Sequence, residues 1–520
     1  MSVRLRSIAP LALCGLLSAC GIARPPAAVD AGAPAQWNAS RPAHDAATAS
    51  AAGVPASSLP HDGSTAALSD WWRRLDDPVL ATLVDAAQAA SPTIASAAAR
   101  IAEARTTRAQ AGAALLPALD GTLSAQRSNS PFGGGAVAGG DGTSLPGVTT
   151  LQAGLQSQWE IDLFGGRRAG RDAAASRLRG AGARWHEARV SVAADTATLY
   201  VDERACRAQL AVAGSDARSR AETARLTDLS ARAGFTAPAS AALARASAAD
   251  ASARLTQQRV QCALLRKGLY ALTGIEGRTL DALLDGAAAA SGTAALPAMP
   301  VLPAMPSFPA LPVVDAVPAR LLSRRPDVYA AEQAVAAASA EVGAAEADRY
   351  PRLTLQGSIA ALQLRSGGLQ QSLQTWTVGP VALSLPIFDG GVRAAAALGA
   401  RARYDEAASL YRAGARQAVR EVEEALVRLQ GADARTGDAD TAVRNYQASL
   451  DATEARFASG LGSLFELEDA RRTLFVAQTA RVALQRERAE AWVSLYRATG
   501  GGWTRPGDDE SSTQPRTARP

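Results

Sequence analysis

Residues that commonly carry out chemistry are sparse in this sequence and form no catalytic pattern. His44, His61 and His186 are too far apart for the close ligand spacing of a metal site. Lys267 is followed by Gly268, whereas the lysine of a phosphate-binding loop is followed by Ser or Thr. A Gly-x-Ser-x-Gly motif does not occur. We therefore expect no catalytic residue, no metal and no cofactor, and any energy must enter through a partner.

The N-terminus has the pattern of a bacterial export signal. Arg4 and Arg6 precede a short apolar run that ends in Leu17-Ser18-Ala19-Cys20. The run is too short to span a bilayer, and small residues directly before a cysteine resemble a lipobox. We expect residues 1–19 to be a lipoprotein signal peptide, Cys20 to be lipidated, and residues 20–66 to be an extended Ala- and Pro-rich tether. The alternative is an ordinary signal peptide cleaved nearby.

Two further cysteines are placed symmetrically about a glycine. Cys206 and Cys262 each lie 28 residues from Gly234 (234 − 206 = 28 and 262 − 234 = 28). If Gly234 marks the turn of a helical hairpin, both thiols stand at one height on antiparallel helices, within disulfide reach. The periplasm is oxidising, so the spacing predicts a Cys206–Cys262 disulfide. The alternative is that both are buried small apolar side chains.

A short joint from strand to helix occurs twice. Glu160–Gly166 and Leu385–Gly391 each end in a glycine pair, with alternating apolar and polar residues before it and a long Ala- and Arg-rich segment after it. A period of two therefore gives way to a period near 3.6, which predicts strands that feed long helices. We expect strands beginning near Leu119, over about 151–163, near 352–364 and near 376–388. The predicted helices are 92–114, 165–232, 238–273, 326 onward, 391–458 and a last one ending near 499.

Equivalent residues recur at a nearly constant offset, which indicates an internal repeat. Pro92 and Pro326 are 234 residues apart, and Gly234 and Gly460 are 226 apart. We expect a first repeat at 67–280, a Pro-rich linker at 281–317, a second repeat at 318–503 and a disordered tail at 504–520.

Composition narrows the classes of function. Apolar residues make up 48% of the chain but aromatic residues only 5%, and the formal net charge is +5 with both signs mixed along the chain. Nucleic-acid binding is not indicated, because basic residues are not clustered with aromatic ones. A channel and a lipid-anchored coiled-coil scaffold remain. The alternating strands, each long enough to cross a bilayer when tilted, favour a channel.

These features together resemble the outer-membrane factor family, the TolC- and OprM-like exit ducts of tripartite efflux pumps. The resemblance covers about 71–503 and is strongest at Ser323–Asp327, Leu385–Gly391 and Tyr496–Trp503. It implies a mainly α chain with a membrane β-barrel: a homotrimer that shares a twelve-stranded barrel in outer-membrane lipid above a periplasmic α-helical barrel. It also implies a periplasmic adaptor, an inner-membrane transporter and small-molecule efflux. A type I protein secretion duct is the runner-up.

The two predicted hairpin turns differ in chemistry. We expect the adaptor to contact both turns, at Gly234, Phe235 and Thr236 and at Gly460, Leu461 and Ser463. Beyond the second turn, Phe465, Asp469 and Arg472 match positions that close the periplasmic mouth in OprM-like relatives, where leucine stands in place of Phe465. The resemblance therefore implies a periplasmic gate, and the alternative for Asp469 and Arg472 is an ordinary surface pair at i, i+3.

Overall fold

The computed structural model describes residues 22–34, 77–128, 148–290, 322–366 and 368–506. Within these ranges the chain is mainly α-helical and carries one sheet. The helices are α1 (Pro78–Ala90), α2 (Pro92–Ala113), α3 (Gly166–Arg232), α4 (Pro238–Thr273), α5 (Gly277–Ala290), α6 (Pro326–Ala347), α7 (Val392–Ala458) and α8 (Leu464–Ala498). The strands are β1 (Ala118–Ser128), β2 (Val148–Ile161), β3 (Arg352–Ser366) and β4 (Leu369–Ser384).

The two long helical hairpins, α3–α4 and α7–α8, begin and end within a residue or two of the predicted positions. Helix α3 ends at Arg232, and α4 starts at Pro238, whose fixed φ suits the first turn of a helix. Helix α4 ends at Thr273 and is capped by Gly274, which has a φ of 67° and donates its N–H to the carbonyl of Tyr270. The residues that stop each helix are therefore readable from the sequence.

The four strands form one antiparallel sheet in the order β1-β2-β3-β4. Strands β2 and β3 belong to different repeats and pair continuously from Thr149↔Arg365 to Ile161↔Leu353. The predicted bounds of β4 are wrong at both ends, since it starts at Leu369 and stops at Ser384. Its pairing with β3 ends at Arg352↔Ser384, so the strand does not reach Phe388.

The chain divides into two compact units. The first contains the described residues of Met1–Asp30, Ala99–Ala181 and Ala330–Tyr411, and it includes the whole sheet. The second contains those of Ala31–Ala98, Gly182–Tyr329 and Arg412–Pro520, and it includes both helical hairpin turns.

The second unit has a large apolar core that includes two helices not predicted from the sequence. Leu80 and Leu83 of α1 and Leu280 and Leu284 of α5 are each at most 1% exposed. Tyr200 lies among them and donates its hydroxyl to Asp77, the N-cap of α1, at 2.7 Å. Helix α5 continues to Ala290, so residues 281–290, at the start of the predicted linker, are helical.

Several expected features lie outside the described residues. These are the signal peptide, Cys20, residues 35–66 of the tether, residues 291–317 of the linker and residues 507–520 of the tail. None of the described helices has an apolar stretch long enough to span a bilayer.

Candidate functional site

One face of the sheet is apolar although it is exposed. Cross-strand register places the exposed large apolar side chains of the strands on this face, with Leu373 as the exception. Its members are Leu119, Leu123, Leu155, Ile359, Trp376, Val378, Val381 and Leu383. Exposed apolar area of this extent is unfavourable in water and indicates contact with lipid or protein.

The opposite face of the sheet is polar and nearly neutral. Gln152, Gln156 and Gln158 of β2 lie on it beside Gln356 of β3. Ser358 and Thr377 share a hydroxyl hydrogen bond of 2.8 Å across β3 and β4. Alternation of an apolar and a polar face is typical of strands in membrane barrels, where the polar face lines the interior.

Each joint between strand and helix is held by an aspartate. Asp162 accepts hydrogen bonds from the N–H groups of Arg167 and Arg168, at 3.1 and 2.9 Å. Asp389 accepts hydrogen bonds from the N–H groups of Gly391 and Arg393, at 2.9 and 3.2 Å. These backbone hydrogen bonds lower the pKa of Asp389, as expected for a carboxylate at a helix N-terminus. Both joints therefore place an aspartate at the start of the long helix, three residues before the glycine pair in the first joint and one residue before it in the second.

The first hairpin turn exposes an aromatic ring. Gly234 has a φ of 80°, a left-handed conformation that favours glycine, and it ends α3. Phe235 is 86% exposed, and the Thr236 hydroxyl lies 2.5 Å from that of Ser230. The turn thus presents an apolar side chain on a backbone fixed by glycine and a local hydrogen bond.

The second hairpin turn has the same glycine conformation and a different cap. Gly460 has a φ of 76°, and Leu461 is exposed. Ser463 and Glu466 form a reciprocal capping box, in which each side chain accepts the N–H of the other residue. Both predicted contact sets therefore lie at exposed turns.

The predicted gate residues lie on one exposed part of α8. Phe465 is 72% exposed, and Arg472 donates to Asp469 within the same chain. The negative charge of Asp469 is thus already balanced by Arg472. This pairing reduces the repulsion expected if copies of Asp469 came together.

A buried ionic network joins the two hairpins, and sequence reasoning missed it. Arg220 of α3 binds Glu468 of α8, and Arg471 of α8 donates to the Thr223 hydroxyl at 2.5 Å. The side chains of Arg220, Glu468 and Arg471 are 8%, 13% and 9% exposed. Glu468 also accepts from Ser247 of α4 at 2.6 Å. The partners are more than 200 residues apart in sequence, so no local spacing could have revealed them.

Cys206 and Cys262 are joined by a disulfide that links α3 to α4. Their sulfur atoms are 2.06 Å apart and their Cα atoms 5.6 Å apart. Close by, the buried carboxylate of Glu203 pairs with Arg207 at 2.8 Å and with Arg266 at 3.1 Å. Covalent and ionic bonds therefore connect the same two helices.

Residues 22–34 include a docked segment within the first unit, so the start of the predicted tether is not free. The carbonyl of Pro25 accepts from the Ser339 hydroxyl at 2.5 Å, and that of Pro26 accepts from the Tyr404 hydroxyl at 3.0 Å. Arg24 pairs with Asp172 at 3.7 Å. Proline carbonyls thus fix the segment to α6 and α7 without regular secondary structure.

Two of the stretches that carry the family resemblance, Ser323–Asp327 and Tyr496–Trp503, meet in the second unit. Arg325 donates to Asp327, to Glu421 and to the carbonyl of Ala498, at 2.7, 2.8 and 3.0 Å. Gly500 has a φ of 90°, and a Cβ atom there would lie 2.2 Å from the Arg324 carbonyl oxygen. The two motifs therefore connect the start of the second repeat to the end of α8.

Comparison with known proteins decides the family. The family described as outer membrane efflux protein matches residues 83–275 and 317–501, well over half of the chain. This chain belongs to the outer membrane efflux protein family. The pyoverdine export outer membrane protein OpmQ of Pseudomonas aeruginosa is 30% identical over 511 residues, which are 96% of this chain and 97% of the relative. The resemblance inferred from sequence is confirmed.

Other relatives of this efflux protein agree on class and fold. The toluene efflux pump outer membrane protein TtgI of Pseudomonas putida is 28% identical, covering 82% of this chain and 86% of the relative. The solved structure of the outer-membrane channel OprN has a TM-score of 0.74 at 26% identity and covers 93% of this chain and 98% of that one. VceC of Vibrio cholerae has a TM-score of 0.68 at 26% identity, covering 83% and 98%.

The efflux protein is thus an outer-membrane exit duct with a periplasmic helical domain. Its two-faced sheet suits a membrane wall with a hydrated interior. In the part of the chain that the structure describes, no group of His, Cys, Asp and Glu could hold a metal ion.

Proposed function

We propose that this chain is the passive exit duct of a tripartite efflux system that carries small molecules, such as drugs or other toxic compounds, across the outer membrane. The two-faced sheet is the observation that carries the proposal, because a scaffold without a pore has no use for a strand face of Gln, Ser and Thr. Relatives named for pyoverdine, solvents and toluene favour small molecules over secreted proteins. The duct itself performs no reaction.

Three chains would complete the pore. Four strands leave two open edges, and unpaired backbone groups are strongly disfavoured in lipid. Small membrane barrels have at least eight strands, so a homotrimer with twelve strands is the simplest closed arrangement that matches the family. The apolar face would then contact lipid and the polar face would line the lumen.

The partners are a periplasmic adaptor and an inner-membrane transporter, which supplies the energy. The exposed turns at Phe235 and Leu461 are the surfaces offered to the adaptor. Crosslinkers on cysteines placed at Thr236 or Ser463 should capture it in cells. No capture at either position would exclude docking there.

Lipidation of Cys20 would add an acyl anchor beside the barrel. A fatty-acid analogue should label the wild type and not Cys20→Ser, and equal labelling of both would show that the lipid is elsewhere.

Single-channel recording and the mass of the purified oligomer test the duct directly. We expect the mass of a trimer and discrete conductance steps in planar bilayers. A protein that is monomeric and does not conduct would contradict the proposal and would favour the lipid-anchored scaffold.

A further inference from the structure

Two arginines lie in one row across the strands at one end of the exposed apolar face, with a threonine between them. Arg127 of β1 pairs in register with Thr149 of β2, Thr149 with Arg365 of β3, and Arg365 with Gln370 of β4. The alternation of side chains places these four residues, here named the basic row, on the same face as Leu123, Leu155 and Ile359.

The arginines of the basic row carry charges without acidic partners. Both are exposed, and the hydrogen bond found for Arg365 goes to the neutral Gln363, at 3.3 Å. No ion pair joins either arginine to another residue within the described ranges. Two spacings between neighbouring strands separate them, about 10 Å between Cα atoms, so both guanidinium groups can approach one anion.

The basic row lies at the end of the sheet that faces the exterior. The other strand ends lead into periplasmic helices: β2 ends at Ile161 shortly before α3, and β3 begins at Arg352 shortly after α6. The strand ends at Arg127 and Arg365 are therefore on the external side of the membrane.

Distance along the strand places the basic row at the edge of the hydrocarbon layer. From Ile161 to Thr149 β2 has twelve steps (161 − 149 = 12), about 40 Å along the strand and about 30 Å along the membrane normal at a tilt of about 40°. The apolar band of an outer-membrane barrel is about 25 Å tall. Residues just inside the row, Gln363 and Ser372, already mark the change from apolar to polar.

We propose that Arg127 and Arg365, assisted by Thr149 and Gln370, bind the phosphate groups of an anionic glycolipid in the outer leaflet. A planar guanidinium group donates two parallel hydrogen bonds to a phosphate, and its long apolar stem extends along the lipid-facing surface to the headgroups. The hydroxyl of Thr149 and the amide of Gln370 add neutral donors. The inference rests on the proposed barrel, in which the apolar face contacts lipid.

The test measures binding of synthetic diphosphorylated lipid A to the purified full-length protein by native mass spectrometry. We expect wild type to retain this lipid and Arg127→Gln/Arg365→Gln to bind it about tenfold more weakly, since hydrogen bonds between charged groups are lost. Arg127→Lys/Arg365→Lys should bind at an intermediate level, because lysine keeps the positive charge and lacks the two parallel donors of a guanidinium group.

Control experiments test whether binding depends on the phosphate groups and on the position of the arginines, and whether the duct itself is intact. Arg352→Gln removes a positive charge from the periplasmic end of the same strand and should bind as wild type does. Equal binding by Arg127→Gln/Arg365→Gln, or equal binding of lipid A lacking phosphates by wild type, would each overturn the proposal. Single-channel conductance of the double Gln variant should equal that of wild type. If the wild type also fails to conduct, the result contradicts the proposed duct and not the proposed lipid site.

Discussion

The buried ionic network between the two hairpins, centred on Glu468, should contribute to the stability of the folded protein. Removing one member of a buried ion pair leaves the other charge desolvated, which typically costs about 3–5 kcal/mol. In Glu468→Gln, Arg220 and Arg471 lose their shared carboxylate, whereas Arg220 keeps Asp216 and Arg471 keeps Glu454. Because each arginine retains one carboxylate, we expect the free energy of unfolding to fall by about 1–3 kcal/mol in thermal and denaturant melts of the purified protein.

Glu424→Gln is the matched control for Glu468→Gln. It breaks the pair between Arg420 and Glu424, whose side chains are 59% and 45% exposed. Surface pairs of this kind contribute about 0–1 kcal/mol. Equal destabilisation by the two variants would mean that the network between the hairpins is not effectively buried.

Glu490 should make stability depend on pH near neutrality. Burial, together with the hydrogen bond to Asp202, raises the pKa of Glu490 from 4.5 to about 7. Between these two values the folded state binds more protons than the unfolded state, so its contribution to stability falls as pH rises from 4.5 to about 7. Glu490→Gln should therefore melt at a higher temperature than wild type at pH 8 and should lose less stability between pH 5 and pH 8.

Glu103→Gln, at an exposed position of α2, should keep the wild-type dependence on pH. If Glu490→Gln follows the wild-type curve as well, the carboxyl group of Glu490 is ionised across the whole range.

At the scale of helices, the disulfide between α3 and α4 should stabilise the first hairpin. It closes a loop of 56 residues, for which the chain-entropy estimate is about 4 kcal/mol. We expect Cys206→Ser/Cys262→Ser to fold but to melt at a lower temperature than the unreduced wild type. Reduced wild type should behave like the double variant, and two thiols free to alkylate in unreduced, denatured protein would exclude the bond.

The helical hairpins were predictable because local chemistry sets their ends. Gly234 and Gly460 permit left-handed turns, and Pro238 and Ser463 start the returning helices. Helices α1 and α5 were not predictable in this way, since they are short and are held by tertiary contacts of leucines such as Leu83 and Leu280. The faces of the strands followed from alternation, whereas the outer end of β4 depended on its pairing with β3.

Long-range contacts explain what sequence reasoning missed at the candidate site. Phe465, Asp469 and Arg472 were predicted from a family resemblance, and the Cys206–Cys262 spacing was readable from a symmetric turn. Arg220 and Glu468 are ordinary surface-type residues in their own helices. Their importance arises only from burial between hairpins that come from different repeats.

At the scale of the assembled duct, the second hairpin is the proposed gate. Around a threefold axis, three copies of Phe465 would form an apolar constriction, with Asp469 and Arg472 as a charged layer beside it. Phe465→Ala/Asp469→Ala should then raise single-channel conductance in bilayers and make cells more sensitive to large antibiotics. Phe235→Ala, which removes an exposed ring from the first turn, should conduct as wild type does. A trimeric double variant with wild-type conductance would place the gate elsewhere.

The docked segment at Pro25 and Pro26 sets a limit on how far the lipid anchor can reach. Pro25 lies five residues after Cys20 (25 − 20 = 5), and an extended chain of that length spans at most about 18 Å. Ser339, which holds Pro25, lies eight residues from the end of α6 (347 − 339 = 8), about 12 Å along the helix axis. If Cys20 carries the lipid, the extended chain from Cys20 to Pro25 is only about 6 Å longer than this distance. The segment would then fix the distance between the docked prolines and the membrane surface. If it were two residues shorter, the chain could not reach the membrane while Pro25 remains docked.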